Sequence, residues 1–535
     1  MTMYRLVLGA LALSATVVGS PLATSYSDGV VNTTTCGSYS YSYDSMVGYG
    51  FLAGNAVDNY GDTIGFGSSI TLERPSVKVT TLADGSKNVS AIVYNLPDRG
   101  WNTEGTTNFE PRIYKFEIAF QPKSGGSFKP NLQWRLVDTL ILTDPYGNPL
   151  TGYDCDTKLR FPNMPHIPAA TFENNGWYDF GGQNISVRVC FDAETLNVID
   201  GSIENGFWIS DEYGPYLYRF NSRGMMVEAI RPPEAFIPYR NGTESFSADS
   251  PRIDTGVDDD ITPSDPDSGR SNNQGFEGGT LSPDGKYIYA LLQSATVQDG
   301  GLKKYTNSYS RMVKYDISTP GESELVGEWV VKLPTFYNPD SSAKKNPRTA
   351  AQSEIYALSE SQFFVIARDS GKGHGQSDGT ESLYRHIDVF DITNATDIHS
   401  IDEYNVATGA VAPGGVLVDG ITSATLCPFL DVNVNSQLNK FGGGLHNGGE
   451  QNWELLNEKW EGMVLIPADG KSGSDDKYYV IITSDDDFMT QQGFVNFGKN
   501  TYRDSAGYNL DNQALVFEIT LPSSLKPFKD FPAGS

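Results

Sequence analysis

The chain has 535 residues, 66 of them acidic and 39 basic, so its formal charge is -27 and its isoelectric point is near 4.5. A chain this acidic is not expected to bind nucleic acid unaided, because it repels the phosphate backbone. A hydrophobic content of 39% excludes a disordered chain, and the length exceeds what one simple core supports, so several domains or a modular array are expected.

The N-terminus has the layout of a secretory signal peptide. Arg5 precedes an apolar run from Leu6 to Val18, and small residues follow before Pro21. The run is shorter than the ~20 residues that span a bilayer as a helix. We therefore predict a signal peptide at 1–23, a secreted, extracellular protein and no membrane span. Five Asn-x-Ser/Thr sequences are the expected N-glycan sites on this route: Asn32, Asn88, Asn184, Asn241 and Asn394.

The four cysteines fit an oxidising compartment, where disulfides form. Four cysteines allow three pairings, and of these we favour Cys155 with Cys190. The alternative is that some cysteines remain free and buried. No Cys-x-x-Cys sequence occurs, so the cysteines do not indicate a zinc site.

Short runs rich in β-branched and aromatic residues recur along the chain, and Asp-Gly turns separate many of them. Long amphipathic helices are scarce, so the predicted fold class is all-β. The runs are Ile113–Phe120, Gly206–Ser210, Tyr287–Leu292, Phe363–Ala367, Ile387–Ile392 and Tyr478–Thr483.

Some of these strands belong to a repeated unit. The segment from Phe276 to Lys286 is matched by the one from Trp460 to Lys471: in each, an acid opens an apolar strand, and a proline and an Asp-Gly turn follow. Looser copies run from Asp192 to Glu212 and from Ser353 to Asp369. In an antiparallel hairpin, the start of the first strand and the end of the second lie at the same edge. The acids that open and close the units are therefore expected to gather on one rim.

Repetition of such a unit along one chain is typical of a β-propeller. Dividing the ~512 residues after position 23 by ~85 residues per unit predicts six blades with loop insertions, and seven blades also fit. The alternative is a pair of β-sandwiches, which short strands and turns alone do not exclude. The predicted organisation is an N-terminal segment at 24–64, the propeller domain at 65–520 and a C-terminal tail at 521–535.

The stretch from Asp249 to Asn273 interrupts the strand pattern at the same rim. It contains Asp258, Asp259 and Asp260, but it lacks the ligand order of an EF-hand loop. A solvated surface loop is therefore favoured over a dedicated ion site.

Two blocks resemble signatures of the phytase-like domain family, also called "esterase-like activity of phytase". They are Phe207 to Phe220, which includes Ser-Asp-Glu-Tyr-Gly-Pro, and Asn273 to Gly278. The resemblance extends from about Gly65 to about Thr520, and it implies a secreted or periplasmic β-propeller-like domain with phytase or esterase-like activity. Further agreeing pieces are Leu96–Gly100, Asp192–Glu194, Arg368–Asp369, Trp460–Gly462 and Ser484–Phe488.

Crowded carboxylates repel one another, and proteins offset that repulsion with a hard cation or with raised pKa values. Calcium is the expected cofactor, because it takes six to eight oxygen ligands. Bound calcium would let an acidic site accept a small phosphate ester, which a metal-activated water attacks with help from a glutamate. The expected general base is Glu212 or Glu277, and the expected phosphate clamp is Arg99. The expected metal ligands are Asp98, Asp211, Glu461 and Asp485.

Two other functions are considered. A serine esterase is not favoured, because no Gly-x-Ser-x-Gly sequence occurs and the five histidines have no evident partner. The alternative is a non-catalytic extracellular propeller that binds a glycan or another small ligand. Trp101, Trp177 and Trp453 lie in Gly/Asn-rich stretches, where stacking on sugars and core packing are both open.

Overall fold

A computed structural model describes residues 29–123, 129–171, 187–253, 260–339, 346–471 and 476–528. The predicted signal peptide, Trp177 and the glycan site at Asn184 lie outside these ranges. Asp258, Asp259 and residues 529–535 of the predicted tail also lie outside them.

The regular secondary structure of the described residues is almost entirely β-strand, as the sequence predicts, and most of the strands belong to five antiparallel sheets that we call blades 1 to 5. The chain opens with β1 (Asn32–Cys36) and β2 (Tyr39–Leu52). Blade 1 contains β3 (Ser69–Thr81), β4 (Lys87–Leu96), β5 (Arg112–Phe120) and β6 (Leu132–Ile141). A three-stranded sheet follows, with β7 (Thr157–Arg160), β8 (His166–Thr171) and β9 (Val187–Val189).

Blades 2 and 3 come next, each followed by a two-stranded ribbon. Blade 2 contains β10 (Ala193–Val198), β11 (Phe207–Asp211), β12 (Leu217–Phe220) and β13 (Met226–Ile230), and its ribbon is β14 (Tyr239–Arg240) with β15 (Thr243–Glu244). Blade 3 contains β16 (Phe276–Leu281), β17 (Tyr287–Leu292), β18 (Tyr309–Asp316) and β19 (Glu324–Lys332), and its ribbon is β20 (Thr335–Phe336) with β21 (Arg348–Thr349).

The C-terminal part forms blades 4 and 5. Blade 4 contains β22 (Ala351–Ala357), β23 (Gln362–Arg368), β24 (Arg385–Asp391) and β25 (Thr425–Asp431). Blade 5 contains β26 (Lys459–Pro467), β27 (Lys477–Asp485) and β30 (Asn512–Thr520), with the ribbon β28 (Gly493–Val495) and β29 (Asn500–Tyr502) beside it. The α-helices of the described residues are single turns, α1 (Asp402–Asn405) and α2 (Asn435–Leu438). None of the helices described is long and apolar enough to cross a membrane.

The first strands of the five blades surround a common axis. β3 contacts β10, β10 contacts β16, β16 contacts β22, β22 contacts β26, and β26 contacts β3, which closes a ring. In each blade the other strands are added outward from this ring. The radial order is that of a β-propeller and differs from two sandwiches packed side by side.

The described residues form five such sheets, whereas the unit length predicted six. Part of the length expected for another blade is taken up by the sheet β7–β9, which is inserted between blades 1 and 2. Another part lies in the segment 24–64, which was expected to precede the propeller. Its strands β1 and β2 are the outer strands of blade 5.

The two ends of the chain meet in blade 5. β2 pairs with β30, from Ser42 opposite Thr520 to Leu52 opposite Asn512. The Cys36–Cys427 disulfide then joins β1 of this blade to β25 of blade 4. The ring is therefore closed by strand pairing and by a covalent bond near its outer edge.

The second disulfide joins Cys155 to Cys190. These residues flank the inserted sheet β7–β9, so the bond holds the insertion together at its two ends. The pairing favoured from the sequence is thus confirmed.

The matching segments found in the sequence are equivalent hairpins. Gly285, between β16 and β17, has a φ of 74° and donates its N–H to the carbonyl of Ser282 over 2.8 Å. Gly470, between β26 and β27, has the same φ and donates to the carbonyl of Pro467 over 2.9 Å. A left-handed φ favours glycine, which explains the repeated Asp-Gly sequence.

Candidate functional site

Four of the five first strands carry a β-bulge close to their start. In β16, the pairing with β17 skips Glu277. The same irregularity skips Ser353 in β22 and Glu461 in β26, and in β10 it includes Glu194. A bulge re-aims the extra side chain relative to the normal alternation of a strand. The acid that opens each repeated unit in the sequence is therefore a bulge residue, except in blade 4, where serine takes its place.

Glycines beside one of these bulges allow neighbouring backbones to approach closely. A Cβ atom on Gly275 would lie 2.3 Å from the carbonyl oxygen of Glu212, and one on Gly278 would lie 2.4 Å from the side-chain oxygen of Gln352. The Gly-Phe-Glu-Gly block, residues 275–278, therefore begins a strand that packs closely against the backbone of blade 2. The bulge in this strand directs Glu277 toward the axis of the ring.

The bulge acids converge on a cavity of about 170 Å³. Every lining side chain is polar or charged, so the cavity suits a polar ligand. Of the residues predicted for the site, Asp98, Arg99, Glu212, Glu277 and Glu461 line it. The remaining lining residues are Asn102, Asp192, Glu194, Asn273, Gln293, Arg368, Lys459 and Asp487.

Two arginines lie in the cavity, each against a carboxylate. Arg99 Nη1 lies 2.9 Å from Asp192 Oδ2, and Arg368 Nη2 lies 2.6 Å from Glu461 Oε1. Arg368 also donates to the hydroxyl of Ser353 over 3.1 Å. Ser353, the bulge residue of blade 4, therefore accepts a hydrogen bond from an arginine, whereas the bulges of blades 2, 3 and 5 carry a glutamate.

Lys459 lies within a separate group of carboxylates, formed by Asp98, Asp485 and Asp487. Its Nζ lies 2.7 Å from Asp487 Oδ1 and 3.9 Å from Asp98 Oδ2, and it also donates to Asp485. Burial lowers the pKa of Lys459, but the surrounding carboxylates raise it well above its usual value. Asp98 and Asp485, which the sequence predicted as metal ligands, therefore already face a cation of the protein itself.

Glu194, Glu212 and Glu277 form the part of the cavity that lacks a basic partner. Within the described residues, none of the three forms a salt bridge, and all are buried. Burial raises the pKa of Glu212 to about 7. Burial and the charge of Glu212 raise the pKa of Glu277 well above its usual value, and the two carboxyl groups are hydrogen-bonded to each other. Such a bond requires a proton on one of them.

Asp211 does not line the cavity. Its Oδ1 accepts the backbone N–H groups of Asp192 and Tyr213, both over 3.0 Å, and its Oδ2 accepts that of Gly214 over 3.2 Å. These bonds fix the turn after β11, from which Glu212 reaches the cavity. Asp211, which the sequence predicted as a metal ligand, therefore has both oxygens engaged by the backbone and lies outside the cavity lining.

The sequence of residues 87–488 matches the profile of a family described as "Phytase-like: Esterase-like activity of phytase". The chain belongs to the phytase-like family. An "Uncharacterized secreted protein" of Arthroderma benhamiae is 45% identical over 481 residues, which are 87% of this chain and 90% of that protein.

Solved structures align with this phytase-like chain at low similarity. Virginiamycin B lyase from Staphylococcus aureus covers 89% of this chain and 100% of its own, with 8% identity and a TM-score of 0.22. A gluconolactonase from Xanthomonas campestris covers 86% of this chain and 98% of its own, with 8% identity and a TM-score of 0.23. Superpositions this weak support no conclusion about the activity.

The blocks that resembled the phytase-like family surround the cavity, but sequence reasoning missed several of its residues. Glu194 was visible as the acid that opens the unit of blade 2. Asp192, two positions earlier in the same block, pairs with Arg99. Lys459 had no signal in the sequence, because it does not belong to the repeated pattern of acids. Asp487 lies in the Ser484–Phe488 block that resembles the family, but only Asp485 of that block was predicted for the site.

Apart from Asn273, the other residues singled out in the sequence lie away from the cavity lining. Trp101 stacks on Tyr502, with ring centroids 4.4 Å apart, and donates its indole N–H to Asp504. Trp453 is 54% exposed. In the stretch 249–273, expected to be a solvated loop, the guanidinium of Arg240 donates to the carbonyl of Ser264 over 2.7 Å.

Proposed function

We propose that this phytase-like protein is a calcium-dependent hydrolase of small phosphate esters. The observation that carries the proposal is the convergence of eight carboxylates and three basic side chains in and around one polar cavity, counting Asp485 with the lining residues. The protein is secreted: its Arthroderma benhamiae relative is a secreted protein, and its two disulfides fit an oxidising compartment.

The chemistry of the cavity fits calcium. All of its acidic donors are carboxylate oxygens, which hard divalent cations prefer, and one buried oxygen of Glu212 accepts no hydrogen bond. Eight carboxylates against Arg99, Arg368 and Lys459 leave an excess of five negative charges when all are ionised. Calcium, when bound, supplies the positive charge that lets a phosphate ester enter and that activates a water.

The arginines supply the remaining contacts to a phosphate. A guanidinium presents paired N–H groups that match two phosphate oxygens. Arg99 uses Nη1 for Asp192, whereas its Nε is buried without a hydrogen-bond partner. Its guanidinium carbon lies 5.5 Å from the ring centroid of Tyr213, which packs beside it. Arg99 is therefore the proposed phosphate clamp, and Arg368 is a second candidate.

Glu212 is the proposed general base, with Glu277 as its hydrogen-bonded neighbour. A carboxylate with a pKa near 7 accepts a proton at neutral pH more effectively than an ordinary glutamate does. The position of Glu212, next to Arg99 and Asp192 in the lining, puts this base beside the proposed phosphate site.

The test is a phosphate-ester assay, phytate included, with added calcium or with chelator. Chelation is expected to abolish turnover, and Glu212→Gln is expected to lower kcat by about 100-fold or more with little change in KM. Glu354→Gln is the matched control, because Glu354 is an equally buried glutamate that accepts Ser69 Oγ over 2.9 Å and does not line the cavity.

Full turnover by Glu212→Gln, or calcium-independent hydrolysis by the wild type, would refute the proposal. A wild type that hydrolyses no ester but binds glycans would favour the non-catalytic alternative.

Two of the predicted N-glycan sites are proposed as occupied. Asn241 and Asn394 are exposed, as a glycan requires. Asn32 instead donates its amide to the carbonyl of Phe429 over 2.5 Å, and Asn88 is half-buried.

A further inference from the structure

We infer that Arg270 is a positioning residue, which lies outside the cavity and holds the turn that carries the proposed general base, Glu212. The inference rests on the proposed function and deepens it, because it names the residue on which the placement of that base depends.

Arg270 is a fully buried cation whose hydrogen bonds go to the backbone. Its Nε and Nη2 donate to the carbonyl of Tyr213 over 2.9 Å and 2.7 Å, and Nη2 also donates to the carbonyl of Phe246 over 2.6 Å. Among the described residues, no carboxylate accepts a hydrogen bond from it. Burying a guanidinium without a carboxylate is costly unless other acceptors are well placed, so these carbonyls fix where Arg270 lies.

Tyr213 connects Arg270 to the base. It follows Glu212 directly in the chain, and its N–H donates to Asp211 Oδ1 over 3.0 Å. Its hydroxyl donates to a backbone carbonyl over 2.8 Å, and its ring packs beside the guanidinium of Arg99. Tyr213 cannot turn without breaking one of these contacts, and Glu212 is held with it.

Arg270 also ties the stretch 249–273 to this turn. The stretch was expected to be a solvated loop, but the backbone N–H of Arg270 donates to the carbonyl of Phe236 over 3.0 Å. Three residues later, Asn273 lines the cavity. One side chain therefore joins the end of this stretch to the turn after β11.

The charge of Arg270 supports the same assignment. Burial raises the pKa of Glu212, whereas the positive charges of Arg99 and Arg270 lower it. Arg270 therefore favours the ionised carboxylate, which is the form that accepts a proton.

Steady-state kinetics of the full-length protein in calcium, with phytate and para-nitrophenyl phosphate, test the inference. Arg270→Met should lower kcat by about 10- to 100-fold, because a base displaced by a fraction of an ångström reacts poorly. KM should change little, because Arg99 keeps its bond to Asp192.

Hydrogen exchange followed by mass spectrometry tests the turn without any need for turnover. Arg270→Met should speed the exchange of the amides at 211–214 by about tenfold or more.

Arg240→Met is the matched control for both measurements. Arg240 is also buried and donates to backbone carbonyls, those of Ser245 and Ser264, over 3.0 Å and 2.7 Å. Among the described residues, it forms no hydrogen bond to the turn at 211–214. We expect Arg240→Met to keep the kcat of the wild type and its exchange at 211–214.

The outcomes separate the inference from the proposed function. Wild-type kcat and exchange in Arg270→Met refute the inference, as do equal losses in both methionine variants, and the function stands if the wild type hydrolyses either ester. A wild type without hydrolysis refutes the function, and the exchange rates still decide whether Arg270 holds the turn.

Arg270→Lys keeps the inference testable if circular dichroism shows that Arg270→Met does not fold. Lysine lacks the planar fork that bonds several carbonyls at once, so kcat should fall by about threefold or more with little change in KM. Wild-type kcat and exchange in Arg270→Lys would then refute the inference.

Discussion

The stability of the calcium-free protein should fall as the pH rises from 5 to 8. Burial raises the pKa of Glu212 from 4.5 to about 7. Between these values the unfolded chain ionises Glu212 while the folded chain keeps it protonated, so raising the pH favours unfolding. A difference of 2.5 pKa units corresponds to ~3 kcal/mol. For a chain of 535 residues, the unfolding entropy is about 1 kcal/mol/K, so this group alone lowers Tm by about 3 °C.

The assay is a thermal melt in chelator at pH 5 and at pH 8, for the wild type and for Glu212→Gln. Burial also raises the pKa values of Glu110 and Glu328 to about 7. These acids add the same pH dependence of stability to both proteins, so their effect cancels in the comparison. Between pH 5 and pH 8, the Tm of the variant should fall by about 3 °C less than the Tm of the wild type. An equal loss in both proteins would show that Glu212 is not held protonated. Added calcium should raise the Tm of the wild type more at pH 8 than at pH 5, because protons compete for the same oxygens.

Two further changes test the closure of the ring and the packing around Glu212. Replacing Cys36 and Cys427 with serine should lower the free energy of unfolding by about 2 kcal/mol more than replacing Cys155 and Cys190 does. The reason is that the first disulfide closes a loop of 391 residues and the second a loop of 35. Equal losses of stability on denaturant unfolding would contradict this. Gly275→Ala should cost about 1–3 kcal/mol and lower kcat, since its Cβ would meet the backbone of Glu212, the proposed general base. An unchanged kcat would contradict that role.

The fold class and the gathering of the acids at one edge were predictable, because both depend on local sequence patterns. Strand runs, Asp-Gly turns and an acid at the start of each unit are properties of short segments, and a hairpin places those acids at one edge whatever the rest of the chain does. Glu277 and Glu461, the opening acids of the two best-matched units, do line the same cavity.

The number of blades was not predictable in this way, because it depends on pairing between distant residues. β2 and β30 pair across more than 450 positions of sequence, from Ser42 opposite Thr520 to Leu52 opposite Asn512. No local pattern indicates that two strands so far apart share a blade. Counting units of average length therefore gave six, where the described residues form five sheets.

The sequence by itself determined that acids converge; only the tertiary structure decided what each acid does. Asp211 and Glu212 are adjacent and chemically alike, yet the first accepts three backbone N–H groups and the second reaches the cavity. Asp98 gains a neighbouring ammonium only because β26 brings Lys459 beside it. Hydrogen bonds and charge interactions act over a few ångströms, so the partners of a side chain are set by distance in space, which sequence patterns record only within a hairpin.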